Sequence, residues 1–94
     1  MPRGVILVDY TDQGRRAMKD SPKRAEASKA EAAKLGVQVK DIFFTPGGPH
    51  DAAMVIEAEG PEPINKFISS IQSLGNVKMK FVRAFSIEEM RKMV

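Results

Sequence analysis

Apolar residues recur along this chain with periods of about 2 and about 3.6, and each change of period marks an element. In residues 4–10, Val5-Ile6-Leu7-Val8 is rich in β-branched side chains and apolar on both faces, which predicts a central strand. Thr11-Asp12-Gln13-Gly14 then supplies an N-cap and an acidic first turn, so a helix begins here. Ser21-Pro22 restarts it as N-cap and first helical residue, with a bend expected between the two parts. Residues 23–35 are alanine-rich, through Ala25, Ala27, Ala30, Ala32 and Ala33, which favours helix and leaves a thin face able to lie close to a sheet. Gly36 is placed to stop it.

The second half repeats the alternation. Residues 37–45 read as a strand, Pro46-Gly47-Gly48-Pro49-His50-Asp51 as a turn, and residues 52–59 as the returning strand of a hairpin. That returning strand carries Met54, Ile56 and Ala58 on one face and Ala53, Val55, Glu57 and Glu59 on the other. After the break at Gly60-Pro61-Glu62-Pro63, Ile64, Phe67, Ile68 and Ile71 follow at the spacing of an amphipathic helix, which Gly75-Asn76 ends. Val77, Met79, Phe81 and Phe85 alternate through a fourth strand, and Ser86-Ile87-Glu88-Glu89 has capping-box spacing for a short C-terminal helix.

A βαββαβ order with right-handed crossovers predicts an α+β, ferredoxin-like fold: a four-stranded antiparallel sheet of order 4-1-3-2 with both long helices on one face. The other face is left bare. Val5, Leu7, Val55, Val77, Met79 and Phe81 are too many to point all at the helices, so an apolar surface is expected there. A second copy of the sheet is its simplest cover, giving a homodimer or a higher oligomer.

Length and charge narrow the class. At 94 residues a single core over residues 1–94 is expected, and a chain this short buries only about 60–65% of its unfolded surface, so self-association adds burial that it needs. With 43% hydrophobic and 29% charged residues, it is a folding sequence rather than a disordered one. The absence of cysteine removes disulfides, thiolate metal sites and cysteine nucleophiles, and suits a reducing compartment. The longest aliphatic run, Val5 to Val8, is far short of the ~20 residues of a membrane span, so a cytoplasmic protein is expected. Residues 15–40 hold eight Lys/Arg against three Asp/Glu, and residues 41–76 hold five acids against one lysine. Opposed patches of this kind suit self-complementary contacts as well as they suit an acidic partner.

Antiparallel topology places the end of the first strand, the hairpin turn and the start of the fourth strand at one edge, where Asp9, Tyr10, Thr11, His50, Asp51 and Asn76 should converge. A histidine beside carboxylates can act as general base, which makes His50 and Asp51 the catalytic candidates. Against this, Asp51 can cap turn amides and Asp9 or Thr11 can cap the next helix, with His50 in solvent. Arg83 falls in the Val77, Met79, Phe81 and Phe85 row and needs a partner, either an anionic ligand or a structural carboxylate. Lys78 and Lys80 occupy the alternate face of an edge strand, where lysine discourages further pairing.

Other chemistries find little support. His50, Asp51 and Asp9 have no zinc or iron spacing, and no metal or cofactor is predicted. Gly47-Gly48 lacks the ending and helix context of a phosphate loop. Nucleic acid is not expected, because residues 52–59 lack the aromatic platform of RNA-recognition domains. A membrane partner is not expected either.

Several segments together, Thr11-Asp12-Gln13-Gly14, Asp20-Ser21-Pro22-Lys23-Arg24, Gly48-Pro49-His50-Asp51, Leu74-Gly75-Asn76-Val77 and Arg83-Ala84-Phe85, resemble the GYD-domain proteins. That family is grouped with the dimeric α+β barrels and has a Gly-x-Tyr-Asp signature between its second and third strands. The resemblance places the signature at Gly48, Pro49, His50 and Asp51, with His50 where the family has tyrosine. It implies fold and dimeric barrel more than activity. Two functions follow as expectations: a pocket between sheet and helices that binds a small organic molecule and acts on it without a held cofactor, or a non-catalytic ligand-sensing or assembly module. In the first, Asp9, Tyr10, Thr11, His50 and Asp51 line the pocket.

Overall fold

A computed structural model describes residues 3–94. In chain order the elements are β1 (Arg3–Tyr10), α1 (Asp12–Arg16), a 3-10 turn (Met18–Asp20), α2 (Ser21–Lys34), β2 (Val37–Phe44), β3 (Ala52–Ala58), α3 (Pro61–Gln72), β4 (Val77–Arg83) and α4 (Ile87–Met93). The strands form one antiparallel sheet of order β2-β3-β1-β4, the predicted order read from the opposite edge. This is the ferredoxin-like α+β layout.

Local chemistry explains most boundaries. The Thr11 hydroxyl accepts the Gly14 N–H and starts α1. The expected bend is the 3-10 turn, but Asp20, not Ser21, is the N-cap of α2; Ser21 lies inside the helix with Pro22 behind it and is buried. Its hydroxyl is used elsewhere, as a partner of Tyr10. Gly36 and Gly75 end their helices at φ of 86° and 84°, a region that L side chains avoid. Ser86 and Glu89 form the expected capping box, their side chains each bonding the other's main chain.

The core lies between the sheet and the α2/α3 layer. Ile6 and Val8 of β1, Ala52, Met54, Ile56 and Ala58 of β3 and Val37 of β2 meet Ala32 of α2 and Ile64, Phe67 and Ile71 of α3. Cross-strand partners share a face, so Tyr10↔Val77, Val8↔Met79 and Ile6↔Phe81 put the apolar row of β4 on this side too. That corrects the expectation for the bare face. Val77, Met79 and Phe81 pack against the core, and β4 contributes Lys78, Lys80 and Val82 to the outer face instead. Val5, Leu7 and Val55 do lie there, joined by Ala53 and the exposed Phe43. The fourth strand also stops at Arg83, leaving Phe85 outside the sheet and exposed.

Candidate functional site

The end of β1 is held by three separate interactions. The Tyr10 main-chain N–H donates to Oδ2 of Asp51 at 2.8 Å, and Nη2 of Arg15 lies 3.5 Å from the same oxygen. One residue on, the Thr11 N–H donates to the Asn76 carbonyl at 3.0 Å, and the Thr11 hydroxyl donates to the Gly75 carbonyl at 2.6 Å. Gly14 is pressed so closely on this crossing that an added Cβ would sit 2.1 Å from the Asn76 carbonyl oxygen. Asp9, Tyr10, Thr11, His50, Asp51 and Asn76 therefore converge as the topology suggested.

They do not face one way. Nδ1 of His50 lies 3.1 Å from Oδ1 and 3.2 Å from Oδ2 of Asp9, and Asp9 is opposite Lys78, on the outer face of the sheet. Tyr10 is opposite Val77, on the helix side, because successive strand residues point to opposite faces. Its hydroxyl donates to Oγ of Ser21 at 2.9 Å. Asp51 and Thr11 are spent on main-chain groups.

A cavity of about 350 Å³ opens on the helix side. Val8, Ile42, Phe44, Ala52, Met54 and Met79 form its apolar floor, and Arg24, Ser28 and Glu31 of α2 with Ser70 and Ile71 of α3 form its walls. The small face of α2, with Ala25 and Ser28, leaves the space that larger side chains would fill. Ser70 donates to Glu31 Oε2 at 2.7 Å and ties α2 to α3. Glu31 lies ten residues beyond Ser21, or roughly 15 Å at the helical rise, so the cavity runs along α2 from the Tyr10 cluster to the Glu31 contact.

Of the ligand-binding candidates, only Tyr10 lines this cavity. Arg83 ends β4, the opposite end from Val77, and its guanidinium carbon lies 5.1 Å from the centroid of the Phe85 ring; that ring is its contact rather than a carboxylate. Ser21, Arg24, Ser28 and Glu31 are not among the residues expected at a site; Ser21 is expected only as a helix cap and Arg24 only within a family-like segment. Their spacing of three, four and three residues, a polar stripe on an otherwise small-residue helix, is the signal that could have found them. Among the described residues, no three His, Asp or Glu side chains gather in a way that can hold a metal ion.

A ferredoxin-like sheet with a pinned β1 end and a cavity of about 350 Å³ beside α2 defines a small α+β domain. The chain belongs to the GYD domain family, whose model matches residues 5–94. No curated protein and no solved structure gives a significant match to it.

Proposed function

We propose that this protein binds a small organic molecule in the cavity between sheet and helices, as a cytoplasmic homodimer joined through the outer face of the sheet. The cavity carries the reading: about 350 Å³, walled by apolar side chains with a few hydroxyls and one guanidinium. That places it at the lower end of small-molecule sites, which span ~300–1,000 Å³. Phe44 and Leu74 of its lining are exposed, so the cavity opens to solvent and a ligand can enter it. No histidine lines the cavity, and its one carboxylate, Glu31, is engaged by Ser70. Binding is therefore favoured over transformation.

Support for the dimer comes from what the single chain leaves uncovered. Val5, Leu7, Ala53 and Val55 are only half-buried in the middle of the outer face. Toward the β2 edge lie Asp41 and Glu57, the latter paired with Lys40 at 3.2 Å so that Asp41 is the uncompensated acid, and toward the β4 edge lie Lys78 and Lys80. A two-fold axis parallel to the strands lays each acidic edge over the partner's basic edge. On α4, Ile87, Met90 and Met93 are also exposed.

A thermal-shift screen of small metabolites tests the binding. A ligand at 100 times its dissociation constant adds about 2.7 kcal/mol, and Ser28→Phe, which fills the cavity, should remove that shift. A broad screen that moves the melting temperature of the native chain nowhere would sink the proposal.

A further inference from the structure

We infer that the ligand is a monocarboxylate with an apolar body, its acid group held by Arg24 at the Tyr10 end of the cavity; this rests on the cavity being a binding site. Nη1 of Arg24 donates to the Ala17 carbonyl at 2.8 Å, and Nη2 reaches the Gly14 carbonyl at 3.4 Å and the Ser21 hydroxyl at 3.3 Å. All three acceptors are neutral. Among the described residues, Arg24 is one of ten Lys/Arg that form no ion pair with a carboxylate, and of those ten it is the one that lines this cavity. A guanidinium keeps its charge at every physiological pH. Half-buried on the wall of an apolar cavity, this one is the cation that an entering anion neutralises.

The guanidinium is also held in place before a ligand arrives. Its three acceptors fix it, and the Tyr10 ring centroid lies 6.0 Å from its central carbon. Three acceptors use fewer than the five N–H donors that a guanidinium carries, leaving donors for a planar acid group, the shape that an arginine fork matches. The Tyr10 hydroxyl stands beside it through their shared partner Ser21.

Charge sets the class and the direction. Residues 12–24 carry five Lys/Arg and two Asp/Glu, so the approach to this end is positive and draws anions. Glu31 at the far end disfavours a second negative group and turns the acid toward Arg24. One cation and no glycine-rich loop is too sparse a donor set for a phosphate dianion, and the apolar floor calls for a hydrocarbon body.

Calorimetric titration of the full chain with octanoate, octanamide and octanol tests this. Octanoate should bind at least about tenfold more tightly than either uncharged analogue. Arg24→Gln should shrink that preference below about threefold, and Arg24→Lys should retain most of it. Melting curves of each variant report folding. Equal binding of octanoate and octanol to the native chain overturns the carboxylate and leaves the cavity standing as a site. Binding of none of the three overturns both. A lysine variant as indifferent to charge as the glutamine variant would trace the effect to the carbonyl bonds of Arg24, and the inference would fall.

Discussion

Tyr10 donates its main-chain N–H to the carboxylate of Asp51 at 2.8 Å, across a sequence separation of 41 residues. Asp51 is thus a clasp on the main chain at the end of β1, while the Tyr10 side chain lines the cavity and bonds Ser21. Its neighbour His50 turns to the outer face and Asp9. His50 thus pairs with a side chain, and Asp51 with the main chain of β1.

The clasp predicts a graded cost. Asp51→Ala leaves the Tyr10 N–H without its partner and should lower stability by about 1–3 kcal/mol. Asp51→Asn keeps an acceptor and should cost less. Urea denaturation of the two variants measures this, and an Asp51→Ala protein as stable as the native one would dismiss the clasp.

Gly14 gives a test whose sign is decided by tertiary contact. In an isolated helix, glycine to alanine gains about 1 kcal/mol. Here the new Cβ meets the Asn76 carbonyl oxygen at 2.1 Å, and that oxygen already accepts the Thr11 N–H. Overpacking costs of ~1–3 kcal/mol should win, so Gly14→Ala is expected to lower the melting temperature. A rise would show that the crossing of α1 over Asn76 is loose.

Ligand binding should separate the two faces. The His50–Asp9 pair is exposed, at 39% and 47% of the side chains, and such pairs contribute about 0–1 kcal/mol. His50→Ala should therefore change stability little and leave binding in the cavity intact. Tyr10→Phe loses the bond to Ser21, costs roughly 0.5–1.5 kcal/mol and weakens binding. Calorimetry on both variants checks the contrast, with a loss confined to His50→Ala the contrary result.

The C-terminal helix should respond to acid. Glu89 is held below the ordinary carboxylate range, first by the bond from the Ser86 main-chain N–H and then by the Ser86 hydroxyl, with Arg3 and Arg83 adding smaller pulls. A lowered folded-state pKa contributes stability that is present above the unfolded value and lost as pH falls through the folded one. Amide exchange in α4 should thus accelerate below the ordinary carboxylate range. Ser86→Ala should fray α4 already at neutral pH, a cap being worth ~0.5–2 kcal/mol. Exchange in α4 that ignores both changes would argue against the capping box as its anchor.

The dimer is testable by mass. Sedimentation equilibrium should report twice the 10.4 kDa chain at micromolar concentration. Leu7→Lys, in the middle of the outer face, should give the monomer without unfolding it. Added salt should weaken association if Lys78 and Lys80 meet the partner's acidic edge. A native chain that sediments as a monomer overturns the arrangement.

Much of this fold was legible in the chain, because the signals that specify it are local. Thr11 and Ser86 announce helix starts by their own hydroxyls, Gly36 and Gly75 announce helix ends by their backbone freedom, and Ile64, Phe67, Ile68 and Ile71 repeat at the helical period. Strand order followed from these elements and the handedness of crossovers. Convergence of Asp9 to Thr11 with His50, Asp51 and Asn76 followed from strand directions alone.

The side of the sheet that each residue serves was not legible. A strand's alternation shows two faces but not which is buried, and a shift of one residue exchanges them. The pairing of Val8 with Met79 and Ile6 with Phe81 turned the apolar row of β4 to the helices, and the same alternation sent Asp9 and Tyr10 apart. The cavity depended on more distant partners still. Arg24 looks in sequence like one cation of a basic helix; only the packing of α2 over the sheet, with Ala17 and Gly14 folded back to hold the guanidinium, makes it the charge on the cavity wall. Periodicity and caps are properties of neighbouring residues, so the sequence determined the elements and their order. Burial and charge compensation are properties of residues far apart in the chain, so only the tertiary structure decided where the cavity lies and which charge stands on its wall.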